Sequence, residues 1–224
     1  MAAKVLFLYI ATLTLCTCSA PKLISFRTQD GGRVFANEYS GGEQAAVLAH
    51  CGRFDKESWH EQARVLNDLG FRVLAIDFRG RGQSLGGPKR SSRDEGVELD
   101  LVAAVNYLHQ SGAGKVFVVG ASFGGTAAAT AAVMEPQFIA GLVLIACPVD
   151  EPEQLSMDKL FILTEDDARG GIKRLPEIRA QFERAPEPKR LVVLPGSAHA
   201  QFIFETEQGD RLMEEIVKFL MDRN

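Results

Sequence analysis

Residues 116–125 read Val-Phe-Val-Val-Gly-Ala-Ser122-Phe-Gly-Gly, an apolar run that passes through a G-x-S-x-G turn into a stretch of small residues. Consecutive apolar side chains bounded by a turn signal read as a strand buried on both faces. The Gly, Ala and Thr residues of positions 123–134 predict a helix that can lie close to that strand. A serine between the two stands on a sharp strand-to-helix corner, which lifts a weak nucleophile clear of a sheet. The flanking glycines let the backbone turn and let helix and strand approach.

On either side of this corner, strands and helices alternate. Residues 22–28 and 33–39 are strand-like around Asp30-Gly31-Gly32, a hairpin signal. Strands follow at 45–50, 71–77, 140–146, 160–164 and 190–194, with helices at 58–69, 175–185 and 207–221. Ser58 and Glu61 have capping-box spacing, as do Ser92 and Glu95 ahead of a helix carried by Val97, Leu101, Ala104, Val105 and Leu108. This alternation predicts an α/β fold with a mostly parallel sheet, helices on both faces and an N-terminal antiparallel hairpin.

The chain has 224 residues, a net charge of −4 and 46% hydrophobic residues, enough for one domain with a sizeable core over residues 21–224. An acidic balance argues against a general nucleic-acid surface, which needs a basic excess to neutralise phosphates. No zinc-type Cys/His spacing, H-E-x-x-H or Walker A sequence is present, so neither metal nor cofactor is expected. Residues 1–20 hold one charge, Lys4, then an apolar run over 5–15 and a small-residue zone. They read as an export signal, which implies a secreted or extracytoplasmic protein. The run is shorter than the ~20 apolar residues of a membrane span, so no stable span is expected after its removal. Beyond it only Cys51 and Cys147 remain, too few for a disulfide framework, and they read as separate small apolar residues.

A serine hydroxyl at neutral pH needs a base to take its proton and an acid to orient that base. His199 lies in Pro195-Gly-Ser-Ala-His199 after the last strand, and Asp167 ends Leu163-Thr-Glu-Asp-Asp167 after the strand before it. Asp166 and Asp150 compete for the acid position. His50 reads as a loop-bracing residue, His60 as a helix-surface residue and His109 as a helix C-terminal one. Ser, Asp, His is the chain order expected of α/β-hydrolases.

Several segments together carry a resemblance to the α/β-hydrolase superfamily of serine esterases over nearly all of residues 21–224. They are Leu48-Ala-His50-Cys-Gly52 with Trp59 beyond it, Asp77-Phe-Arg-Gly-Arg-Gly-Gln-Ser84, Gly120-x-Ser122-x-Gly124-Gly125, the acid turn and Gly196-x-x-His199. The resemblance implies a nucleophile elbow at Ser122, a catalytic triad completed by His199 as base and Asp167 as orienting acid, and an eight-stranded sheet. It also implies an oxyanion hole made by the backbone N–H groups of Gly52 and Phe123. Cys51 departs from the His-Gly common in the family, which opens Arg53 or Cys51 itself as the second donor.

Only a short connection separates the strands that end near Cys147 and begin near Leu160, where many relatives insert a lid. No cap domain is therefore expected, and the open cleft suits a small-molecule substrate with a short acyl ester or an exposed ester or thioester. Peptidase, thioesterase or acyltransferase chemistry on the same triad, or binding without catalysis, are the alternatives. Arg53, Arg79, Arg81, Lys89, Arg90 and Arg93 make the neighbouring loops basic, either to steer carboxylate-bearing substrates, with Arg53 in contact, or as solvated charges.

Overall fold

The computed structural model describes residues 20–87 and 95–222. Residues 1–19 of the expected export signal 1–20, the Ser92 cap and the basic residues Lys89, Arg90 and Arg93 lie outside the described residues.

β1 (Lys22–Arg27) and β2 (Arg33–Tyr39) form the expected antiparallel hairpin, with Gly31 at φ 87° in its turn. The sheet continues through β3 (Gln44–Ala49), β4 (Arg72–Ile76), β5 (Lys115–Ala121), β6 (Gly141–Ile145), β7 (Asp158–Thr164) and a last strand at Lys189–Leu194. Its eight strands run in the order β1-β2-β4-β3-β5-β6-β7-β10, where β10 is that last strand, and all pairings beyond β2 and β4 are parallel. β8 (Ala168–Arg169) and β9 (Ile172–Lys173) form a separate small hairpin directly after Asp167. Sequence reading missed it, because two-residue strands carry no periodicity.

Helices α1 (His60–Asp68), α2 (Val97–Gln110), α3 (Phe123–Met134), α4 (Leu175–Arg184) and α5 (Gly209–Met221) cover both faces of the sheet. From β3 the chain steps outward to β4, then returns to place β5 on the other side of β3. The crevice beyond the carboxyl ends of β3 and β5 is thus a topological switch point, where open parallel sheets gather functional groups. In β5, Val116 to Ala121 are all buried, as a doubly covered central strand requires.

The start of α1 differs from its sequence signal. A 3-10 turn at Lys56–Trp59 precedes it and is capped by Asp55, whose side chain accepts the Glu57 N–H at 3.0 Å. Ser58 is therefore no helix cap; its hydroxyl donates to the Asp55 carbonyl. Trp59, Ala63 and Leu66 are buried on one face as the spacing predicts. Between β6 and β7, residues 146–157 hold only a 3-10 turn at Pro152–Gln154, and no lid is inserted. Among the described residues no helix is long and apolar enough to cross a membrane.

The corner between β5 and α3 is packed backbone on backbone. A Cβ at Gly124 would lie 2.4 Å from the Ala49 carbonyl oxygen of β3, and one at Gly125 would lie 2.4 Å from Cys147 Sγ. Neither neighbour is the free end of a flexible chain, so a methyl group forces the backbone to shift. Gly124→Ala is expected to lower stability by about 1–3 kcal/mol, the usual cost of overpacking, measured by urea denaturation.

Candidate active site

Ser122 caps α3 with φ 49° and ψ −115°, a conformation that L side chains rarely adopt. Its N–H is held by the Ile145 carbonyl of β6 at 2.8 Å, and its carbonyl accepts from Thr126 N–H at 3.0 Å. The strained residue is thus pinned from the neighbouring strand and from the first turn of its own helix.

Loops after three different strands converge on this corner. His199 Nε2 lies 2.8 Å from Ser122 Oγ, and His199 Nδ1 lies 2.7 Å from Asp167 Oδ2. With Nδ1–H donating to the carboxylate, Nε2 is left as the acceptor for the serine hydroxyl. Asp167 is fully buried, whereas the His199 side chain is 25% exposed, so the carboxylate is shielded while the imidazole meets solvent. Of the competing acids, Asp166 points outward to Lys173 at 2.5 Å, and Asp150 is exposed beyond β6. The structure brings Asp167 to the histidine and neither of the others.

The small β8–β9 hairpin returns the chain to the acid. Arg174 N–H donates to the Asp167 carbonyl at 2.9 Å, and Arg174 Nε faces Asp167 Oδ1 at 3.6 Å. A buried carboxylate thereby gains a countercharge on the side away from the imidazole.

The loop after β3 forms the facing wall. Gly52 lies against Phe123, with a Cβ at Gly52 only 3.6 Å from Phe123 Cβ. Phe123 is the first residue of α3, where backbone N–H groups have no intrahelical acceptor. Among the described residues, neither the Gly52 nor the Phe123 N–H is hydrogen-bonded. The Cys51 N–H differs, since Gln201 Oε1 accepts it at 2.6 Å. Cys51 and Cys147 are both buried free thiols, and burial pushes the Cys147 thiol up to about 12.

His50, expected to brace the loop, does so from full burial. Its Nδ1–H donates to the Cys51 carbonyl at 2.8 Å, and its Nε2 accepts the Phe78 N–H at 3.3 Å. Burial lowers its pKa, outweighing the bond to Cys51 and the charge of Asp77. Both bonds need the neutral ring, because a proton on Nε2 would face another N–H. His60 meets Tyr39 Oη at 2.9 Å, and His109 reaches the Phe138 carbonyl at 2.8 Å; both lie away from the serine.

The basic loop divides. Arg79 is buried and paired with Asp100 at 2.6 Å and Asp30 at 2.9 Å, so it braces the loop after β4 and is not available for steering. Arg81 donates to the Gly52 carbonyl, while Arg53 is exposed beside the facing wall. Among the described residues no cluster of His, Cys, Asp and Glu has the arrangement of a metal site.

Fold and site together define an α/β hydrolase. The chain belongs to that family: the model of the alpha/beta hydrolase fold matches residues 46–201. Over 102 residues it is 36% identical to epoxide hydrolase B of Mycobacterium tuberculosis, covering 46% of this chain and 28% of that protein. The chain therefore spans little more than a quarter of the length of that relative. An uncharacterized protein of the same organism is 31% identical over 229 residues, covering 87% of this chain and 77% of that one. Among solved structures, the Pyrococcus furiosus esterase Pf2001 superposes with a TM-score of 0.76 at 18% identity, covering 90% of this chain and 92% of that one.

Two expectations follow from the strained corner and the buried histidine. Ser122→Gly is expected to be about 1 kcal/mol more stable than Ser122→Ala by denaturant titration, since relief of ~1–3 kcal/mol of strain exceeds glycine's added unfolded-state entropy. For His50, the lowered folded-state pKa means that the unfolded chain binds more protons near pH 6.5. Stability should therefore fall as pH drops through about 6.5, by up to ~1.4 kcal/mol per unit, and His50→Asn should remove that part of the slope.

Proposed function

We propose that this chain is a serine hydrolase that cleaves carboxylic esters through an acyl-enzyme on Ser122. The observation that carries the reading is the unbroken chain of contacts from Ser122 Oγ to His199 Nε2 at 2.8 Å and from His199 Nδ1 to Asp167 at 2.7 Å. A hydroxyl, an imidazole and a buried carboxylate in that order are the parts of acyl transfer.

In the proposed sequence Ser122 Oγ attacks the acyl carbonyl and His199 Nε2 takes the hydroxyl proton. The carbonyl oxygen becomes an anion facing the N–H groups of Gly52 and Phe123; each such donor is typically worth ~3–4 kcal/mol. The tetrahedral species collapses, the C–O bond to the leaving alcohol breaks, and His199 returns the proton to that alcohol. Water, deprotonated by His199, then releases the acid and restores the serine. Asp167 keeps the imidazole in the tautomer these transfers need, with Arg174 beside it. The short, lidless connection over residues 146–157 favours short acyl groups or esters displayed on larger molecules. The exposed Arg53 suits substrates that carry a carboxylate near the carbonyl.

A fluorophosphonate probe should label Ser122, and p-nitrophenyl acetate should give a burst of one p-nitrophenol per chain. Ser122→Ala should abolish both, and His199→Ala should lower kcat by about a thousandfold or more. A wild-type chain that is neither labelled nor shows a burst overturns the reading. A panel of esters, thioesters, aminoacyl amides and epoxides decides the leaving group, and preference for any class but esters replaces esterase with that activity.

A further inference from the structure

Residues 200–205 form a 3-10 turn directly after His199, and they are stitched to the segment that follows β3. Gln201 Oε1 accepts the Cys51 N–H at 2.6 Å. The Phe202 ring meets Phe54 at 4.9 Å between centroids, and Phe204 meets Trp59 edge-on at 5.8 Å. Ala200 makes this possible by standing at φ 52°, a left-handed turn at a buried alanine that swings the chain back toward the facing wall.

Gln201 is 4% exposed and its amide is oriented from both ends. Its Nε2 donates to Ser58 Oγ at 2.9 Å, and the Ser58 hydroxyl donates onward to the Asp55 carbonyl. A flipped amide would set its NH2 against the Cys51 N–H, so one orientation is enforced.

The Cys51–Gly52 peptide is fixed at the same time. His50 Nδ1–H holds the Cys51 carbonyl from the interior at 2.8 Å. A trans peptide is planar, with its C=O and N–H pointing opposite ways. The Phe54 N–H holds the same carbonyl at 3.0 Å, so the Gly52 N–H points away from both donors, while the Gly52 α-carbon faces Phe123. The Cys51 N–H, the other amide at this bend, is withdrawn by Gln201.

We infer that Gln201 is a positioning residue of the oxyanion hole: by holding the Cys51 N–H it leaves the Gly52 N–H as the second donor and locks the facing wall to the loop that carries His199. Cys51 can replace the glycine usual in the family, because its φ is not positive and its side chain is buried. No periodicity or charge marks an uncharged residue in a short turn, so sequence alone gave no sign of it. The inference rests on the acyl-transfer reading of Ser122.

The test uses Gln201→Met, which keeps the volume and removes both hydrogen bonds, in the full chain with active sites counted by burst titration. A trifluoromethyl ketone analogue of the best ester is the probe, since its hemiketal oxygen occupies the hole. Per active site, kcat should fall at least about tenfold with KM within about threefold, and the inhibition constant of the ketone should rise in parallel with the loss in kcat. A general loosening would instead lower the burst amplitude and the melting temperature and leave kcat per titrated site near wild type. Folded Gln201→Met with kcat and ketone affinity within twofold of wild type overturns the inference. If that variant does not fold, Ser58→Ala decides, as it frees the Gln201 amide from one side only. A rise of about threefold or more in the ketone constant supports the role, and no change overturns it. A wild-type chain without a burst would instead mean that the acyl-transfer reading itself had failed.

Discussion

The close approach of the β5–α3 corner to its neighbours is the constraint on which the rest of the site depends. Gly124 sits under the Ala49 carbonyl at the end of β3, and Gly125 sits against Cys147 just after β6. With no side chain on either glycine, the corner is held close against the end of β3 and the Cys147 side chain after β6. Ser122 has no room to relax out of its left-handed conformation, and its N–H remains tied to Ile145. A strained backbone persists only where the surroundings over-determine it. Here the surroundings are the β3 main chain at Ala49 and the buried Cys147 side chain, neither of which has room to move aside.

Charged groups hold the second layer. The loop after β4 is anchored by Arg79 between Asp100 and Asp30, and Asp77 accepts both the backbone and the side-chain nitrogen of Lys56. Such buried pairs add little net stability over apolar packing, because desolvation offsets most of the attraction. What they add is definition: a loop whose charges are held by fixed partners on two sides has one low-energy path. That loop carries Arg81, which reaches the Gly52 carbonyl, so the order of the outer charges is passed to the wall facing the serine.

The parts of this molecule that were legible in the sequence are those written in local pattern. The β5–Ser122–α3 run has its predicted bounds because apolar continuity, glycine and small residues all agree there. Strand-end position pointed to Asp167 with Asp166 and Asp150 as competitors, and the structure separates them: Asp167 turns inward to His199, Asp166 is taken by Lys173 and Asp150 is exposed. The capping box at Ser58 misled because an aspartate three residues earlier starts a tighter turn. Gln201, Arg174 and the buried role of Arg79 were out of reach for another reason. Gln201 and Arg79 act through partners distant in the chain, and Arg174 through a hairpin too short to show in the pattern; a single sequence carries no record of such pairs.

The bond from Cys51 to Gln201 joins positions 150 residues apart, a separation that encloses most of the sheet and four of its helices. Closing so long a loop costs entropy that only a largely formed sheet can offset. The serine corner shares that dependence, because Ala49, Ile145 and Cys147, which hold it, lie in or just after other strands. Both halves of the candidate site therefore take shape only once the strands between residues 51 and 201 have paired, and a partly folded chain is expected to hold neither the serine corner nor its facing wall in place.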